Sequence, residues 1–311
     1  MIRVEDLTVR FGAFEAVRGI SFHVREGDIF AFVGPNGAGK TTTIRVLATL
    51  IEPAAGRASI DGVDVAEEPE KIRKLVGYMP DEFGVYDGLR VWENLDFYAA
   101  AYRMPRSERR RAIRDVMRLT DLTSLHDRDV KGLSKGMRQR LCLAKILLHN
   151  PKVLVLDEPA SGLDPRARIE FRALVRTLAE MGKTIFISSH ILTELREICN
   201  AVCFIETGRV LACGSIDEIT DRLVPTRSIV FRVLGDAEAA AKILAGCSGV
   251  LAAEASAGAA GAVAVEFQGE EESVPALVKA LVEAGVAVVG MDERARDLEH
   301  LFMRITKGEV A

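Results

Sequence analysis

The run Gly34-Pro35-Asn36-Gly37-Ala38-Gly39-Lys40-Thr41 fits the spacing G-x-x-x-x-G-K-[ST] at every fixed position. Residues of these types in this order are suited to gripping nucleotide phosphates. The glycines let backbone N–H groups turn inward around an anion. Lys40 adds a mobile positive charge for the β- and γ-phosphates, and Thr41 offers a hydroxyl to Mg²⁺. Upstream, Asp28 to Val33 reads as a buried strand. Downstream, Thr42 to Leu50 reads as a helix whose N-terminus points at the phosphates.

A second carboxylate-bearing segment follows at Val153-Leu154-Val155-Leu156-Asp157-Glu158-Pro159. An apolar run that ends in two acids reads as a central parallel strand delivering them at its C-terminal edge. Beside a phosphate loop, Asp157 would hold Mg²⁺ and Glu158 would polarise the attacking water. Between the two segments, Ser134 and Gly136 open a helical pattern. They read either as an ordinary helix cap or as a second anion site that closes on ATP held by another subunit. Further on, Thr184 to Ser189 is another apolar strand, ending in His190, which is suited to donating a hydrogen bond to the γ-phosphate.

With these segments in order, residues 1 to about 220 resemble the ATPase subunits of ABC transporters. In that resemblance Gly34–Thr41 is the Walker A loop, Leu156–Glu158 ends Walker B, and Ser134–Gln139 matches the LSGGQ signature. Asp164 takes the D-loop position and His190 the switch position. Phe11 would stack on adenine with Val17 lining the base. Two departures stand out. Lys135 and Met137 differ from the commonest signature, while Ser134 and Gly136 keep it. Asp81, after Val76-Gly77-Tyr78-Met79-Pro80, stands where the family usually has the Q-loop glutamine, which makes it a candidate metal contact beside Thr41 and Asp157.

The resemblance implies an α/β P-loop NTPase of ABC ATPase type, with a RecA-like core plus antiparallel β and helical subdomains. Its implied cofactors are ATP and Mg²⁺. Its implied partners are a second ATPase subunit and a separately encoded transmembrane permease, with the chain peripheral on the cytoplasmic face of the membrane. The end of the chain resembles the accessory segment of exporter ATPases. A soluble ABC ATPase with a non-transport partner and a nucleotide-gated regulatory module are the alternatives.

The bulk of the chain agrees with such a reading. It has 311 residues, 49% hydrophobic and 28% charged, with a net charge of −4. No global basic field points to nucleic acid. No uninterrupted apolar run approaches the roughly 20 residues of a membrane-spanning helix. The start, Met1 to Asp6, reads as a strand rather than a secretory leader. Five scattered cysteines read as small buried apolar residues in a reducing compartment.

The elements that must position the site divide at about residue 222. Within 1–222, a helical subdomain is expected over about 88–150. Ser107 is expected to cap a helix whose apolar face is Ala112, Ile113, Val116 and Met117. Residues 223–311 read as a small α+β domain in the order β-α-β-β-α-β, a ferredoxin-like unit. A final helix carrying Leu298, Leu301, Phe302 and Ile305 is expected to pack in a core or a dimer.

Overall fold

Hydrophobic strands that end together are what position this site. The computed structural model describes residues 1–82, 84–190, 197–216, 218–219, 227–256, 261–269 and 271–294. The expected boundary at 222–223 and the expected final helix lie outside these residues. The chain forms two compact units, one of Met1–Ile216 and one within 217–305.

The first unit contains two sheets. An antiparallel sheet, ordered β2-β1-β4-β5, is built from β1 (Ile2–Phe11), β2 (Phe14–Val24), β4 (Ala55–Ile60) and β5 (Val63–Asp64). The second is ordered β10-β9-β3-β8-β7-β6. It comprises β3 (Ile29–Val33), β6 (Val76–Met79), β7 (Val153–Leu156), β8 (Thr184–Ser189), β9 (Ala201–Glu206) and β10 (Arg209–Ser215). All pairs in it are parallel except β10 on β9. β3, β7 and β8 are buried at every position, as central strands covered on both faces must be.

Alternation along β1 and β2 turns Val4, Ile20, Phe22 and Val24 toward the central sheet. There Phe22 packs against Phe30, Phe32 and Phe186 with ring centroids 5.4–5.9 Å apart. Each such fully buried side chain contributes about 1.5–3 kcal/mol over exposure. α1 (Lys40–Leu47) joins the same core through Ile44, Val46 and Leu47.

Register sets which strand ends meet. Val33 pairs with Ser189 and Leu156 with Ile187, so β3, β8 and β7 finish at one edge with β8 in the middle. The loop after β3, the acids after β7 and the histidine after β8 therefore emerge side by side.

Residues 91–120 form two helices, α3 (Val91–Ala101) and α4 (Arg106–Leu119), following α2 (Pro69–Leu75). Pro105 causes the break, because it excludes the helical conformation from the residue before it. Pro105, not Ser107, is the cap residue of α4, and Ser107 lies inside the helix. Ile113, Val116 and Met117 are buried on the expected face, with Ala112 half-buried. α5 (Lys135–Leu147) and α6 (Pro165–Glu180) complete the helices described here. Cys142, Cys199 and Cys203 are buried, but Cys213 is exposed because it stands on the edge strand β10.

The second unit runs β11 (Arg227–Leu234), α7 (Ala237–Ala245), β12 (Val250–Ala255), β13 (Ala262–Phe267), α8 (Val274–Glu283), β14 (Ala287–Arg294). Its strands lie in the order β12-β13-β11-β14, all antiparallel, a split β-α-β arrangement. Phe231, Val265 and Phe267 meet Leu244 and Leu277 of the two helices in a separate core.

Candidate active site

The loop between β3 and α1 owes its shape to glycine. Gly37 and Gly39 have φ of 81° and 101°, conformations that side chains rarely adopt. A Cβ on Gly34 would lie 2.1 Å from the Ile205 carbonyl oxygen, and one on Gly39 would lie 2.7 Å from that of Ala16. The left-handed Gly39 starts α1 at Lys40, two residues earlier than the sequence pattern suggests. Asn36 and Gly37 form the exposed tip; Gly34, Ala38 and Gly39 are buried, and Pro35 is half-buried. Ala38 is tied down by an N–H bond to Pro35 O at 3.2 Å, and Gly208 donates to its carbonyl at 3.0 Å. The first N–H groups of α1 have no intrahelical acceptor, which leaves them and the helix dipole for an anion.

Lys40 is 5% exposed. Its Nζ donates to Gly34 O at 2.8 Å and Pro35 O at 3.2 Å, and sits 3.3 Å from Glu158 Oε1. Thr41, the next residue, donates from Oγ1 to Asp157 Oδ1 at 3.2 Å. Thr42 is half-buried in the same first turn.

Asp157 is 1% exposed. Burial pushes its carboxyl up from the ordinary carboxylate range; hydrogen bonds from Ser188 and Thr41 pull it down, and the charges of Glu158 and Asp81 raise it further. A cation at this position would relieve that strain. A hydroxyl and a buried carboxylate converging beside a lysine-lined phosphate loop fit Mg²⁺, a hard ion that prefers oxygen ligands. Asp81 is exposed just beyond β6 and hydrogen-bonds neither Thr41 nor Asp157 among the described contacts; it reaches the pair only through its charge.

Glu158 adopts φ of 46°, a left-handed backbone conformation for a non-glycine residue. Its two oxygens face opposite partners. Oε1 pairs with Lys40 without a hydrogen bond, and Oε2 lies 2.8 Å from Nδ1 of His190. The Glu158 N–H donates to Ser188 Oγ at 2.9 Å, and Ser188 Oγ donates to Asp157 Oδ1 at 2.8 Å. Ser188 thus joins the two acids. Its role was not apparent from the sequence, where it is one polar residue at the end of an apolar strand. Thr43 was likewise missed; its Oγ1 donates to Gly39 O at 2.9 Å and secures the loop.

Ser134, Gly136, Gln139 and Asp164 meet at a separate cleft of about 170 Å³, whose lining includes no residue of the Gly34–Thr42 segment. Ser134 caps α5 by accepting from Met137 N at 3.3 Å, and Asp164 caps α6 by accepting from Ala167 N at 2.9 Å. Gly136 lets the helices approach: a Cβ there would lie 3.2 Å from that of Ala167. Gln139 is 1% exposed, and its Nε2 has no hydrogen-bond partner among the described residues.

Phe11 is half-exposed at the end of the β1–β2 hairpin, directly opposite the equally exposed Phe14. Val17 is fully buried beneath the loop; a Cβ on Gly39 would lie 3.4 Å from its Cγ2. The exposed apolar surface of this hairpin is thus that of the two phenylalanines.

A parallel sheet with a phosphate loop, a buried metal-type aspartate and a following glutamate at one edge defines a P-loop ATPase. The ABC transporter family profile matches residues 17–161. The ABC transporter ATP-binding protein NatA of Bacillus subtilis is 34% identical over 224 residues, covering 70% of this chain and 91% of NatA. The linearmycin resistance ATP-binding protein LnrL of the same species is 28% identical over 309 residues, 98% of both chains. A solved ATP-binding subunit of an ABC transporter is 32% identical with a TM-score of 0.65, covering 71% of this chain and 92% of its own. The chain belongs to the ABC transporter family as one of its ATP-binding proteins, and its activity is ATP hydrolysis.

Proposed function

We propose that the chain powers an exporter, working as a pair beneath a separately encoded membrane permease on the cytoplasmic face. The observation that carries the catalytic part is the convergence of Lys40, Thr41, Asp157, Glu158 and His190 at one sheet edge. Full-length similarity to a resistance protein supports export. The separation of the Ser134 cleft from the chain's own phosphate loop supports pairing, because that cleft then faces nucleotide held by a second copy.

In this reading Gly34–Thr42 wraps the phosphates and Lys40 neutralises charge on the transferred phosphoryl group. Mg²⁺, when bound, would supply charge neutralisation at the phosphate oxygens, and Thr41 and Asp157 would hold it. Glu158 orients water for in-line attack and takes its proton, and His190 fixes that carboxylate and reaches toward the γ-phosphate. Phe11 stacks on adenine, while Val17 supports the loop from beneath. Ser134, Gly136, Gln139 and Asp164 complete the partner's nucleotide site. The exposed pair Tyr86 and Phe97, edge to face at 5.0 Å, offers an apolar contact for the permease beyond the Asp81 segment. Residues 223–311 serve as an accessory domain, and no nucleic acid partner is expected.

The test is recovery of tagged Glu158→Gln chain from detergent-solubilised host membranes in MgATP. Co-purification of a polytopic membrane protein at near-equal stoichiometry is expected. Recovery of ribosomal or DNA-associated partners alone would contradict the transport role and leave the ATPase assignment standing.

A further inference from the structure

Residues 103–118 concentrate seven arginines against Glu108 and Asp115, in a chain whose net charge is −4. Arg106, Arg110 and Arg114 recur every fourth residue and so share one face of α4. All three are exposed and have no carboxylate partner among the described residues. Arg109 differs: it donates from Nε to Met104 O at 2.9 Å and lies 3.8 Å from Asp96, whose charge it offsets.

The three free guanidiniums border a half-open cavity of about 840 Å³. Its floor includes Ile113 and Met117, and one wall is Trp92. The indole stacks on the His126 ring with centroids 5.9 Å apart and planes 11° from parallel, which fixes that wall. A merely solvated helix face needs neither a cavity nor a half-exposed indole beside it.

A fitting ligand is anionic at one end and apolar beside it. Free phosphate would answer the guanidiniums and leave the half-exposed Trp92 indole uncovered. We infer that this cavity takes the headgroup of an anionic phospholipid, giving the chain a membrane contact of its own. The phosphodiester lies in the fork of two guanidiniums, a bidentate geometry arginine is built for. The glycerol and first methylenes cover the indole edge of Trp92, which is half-buried and backed by the buried Ile113 and Met117. Among the described residues no helix is long and apolar enough to cross a membrane, so this contact is peripheral. Each basic residue near an anionic surface strengthens binding about fivefold, so the three together contribute on the order of 100-fold. The inference goes beyond the permease assignment and does not depend on it.

Trp92 is the chain's one tryptophan, so its fluorescence reports on this cavity alone. The full chain is titrated with vesicles of phosphatidylcholine, with or without phosphatidylglycerol, carrying brominated acyl chains. Vesicles with phosphatidylglycerol are expected to quench Trp92, and phosphatidylcholine alone is not. The combined Arg106→Ala, Arg110→Ala, Arg114→Ala variant is expected to bind about 100-fold more weakly. Its ATP turnover in solution should be unchanged, which also shows that it folds. The combined arginine-to-lysine variant keeps the charge but loses the fork, and should bind more weakly than wild type yet more tightly than the alanine variant. An unquenched Trp92, or wild-type binding by the alanine variant, would overturn the assignment. So would an equal Trp92 response to inorganic phosphate alone, which would make the cavity a free-phosphate site.

Discussion

Nδ1 of His190 lies 2.8 Å from Oε2 of Glu158, the carboxylate that also faces Lys40 across its other oxygen. The glutamate is therefore held from two sides, by groups placed just after β8 and at the start of α1. Removing the histidine by His190→Ala leaves the lysine contact but frees the rotation of the carboxylate. Turnover is expected to fall about 100-fold, in line with loss of the group that positions the catalytic carboxylate. ATP affinity should change little, and steady-state kinetics with parallel nucleotide-binding assays separate the two. Normal turnover would remove His190 from the site.

Ser188 accepts from the Glu158 N–H and donates to Asp157. Ser188→Ala strands a part-buried N–H and removes one of the two hydrogen bonds on the buried Asp157 Oδ1, at a cost of about 1–3 kcal/mol. We expect a lowered melting temperature, together with a drop in kcat that exceeds any change in KM for ATP. Ser188→Thr keeps the hydroxyl and should recover most of the loss. Equal stability of Ser188→Ala and wild type would contradict the bridging role.

Burial raises the Asp157 carboxyl above its usual value of 3.8. For an acid shifted upward, the folded state carries a penalty while the group is ionised. That penalty is full at neutral pH and is relieved as the pH falls through the folded-state value. Asp157→Asn should therefore stabilise the nucleotide-free protein at neutral pH while abolishing Mg²⁺-dependent hydrolysis. The gain should appear as a raised Tm of the nucleotide-free protein. The difference from wild type should shrink on acidification. A difference that widens at low pH would reverse the sign and refute the desolvation account.

Gly39 combines φ of 101° with a backbone oxygen 2.7 Å from where a Cβ would sit. Gly39→Ala should cost several kcal/mol through backbone strain and steric overlap, about 1–3 kcal/mol from the strain alone. Chemical denaturation would register that loss, and nucleotide binding would fall with it. Gly182, also left-handed but with open space around it, serves as the control and should cost less.

Fixed spacing made part of the site legible. Gly34–Thr41 and the acids at 157 and 158 could be read because each residue type has one job at one offset from a strand end. Ser188 could not, since its role depends on β8 lying between β3 and β7, and sheet order is not written in local spacing. Periodicity marked α4 but not where it begins: Ser107 has the chemistry of a cap, yet Pro105 takes the position. Val17 shows a similar limit. Its motif offset suggests contact with a base, whereas its burial beneath Gly39 makes it a support for the loop. In the second unit, turn residues and alternation were enough to anticipate the element order, because each strand and helix there is short and locally punctuated.

The central claim is that Glu158 prepares the water that attacks ATP. The direct measurement is kcat for Glu158→Gln against wild type, with ATP affinity determined on the same preparations. We predict a loss of roughly 10²–10⁴-fold in kcat with binding retained. Turnover near the wild-type rate would contradict the account, because no other carboxylate described here sits between Lys40 and His190.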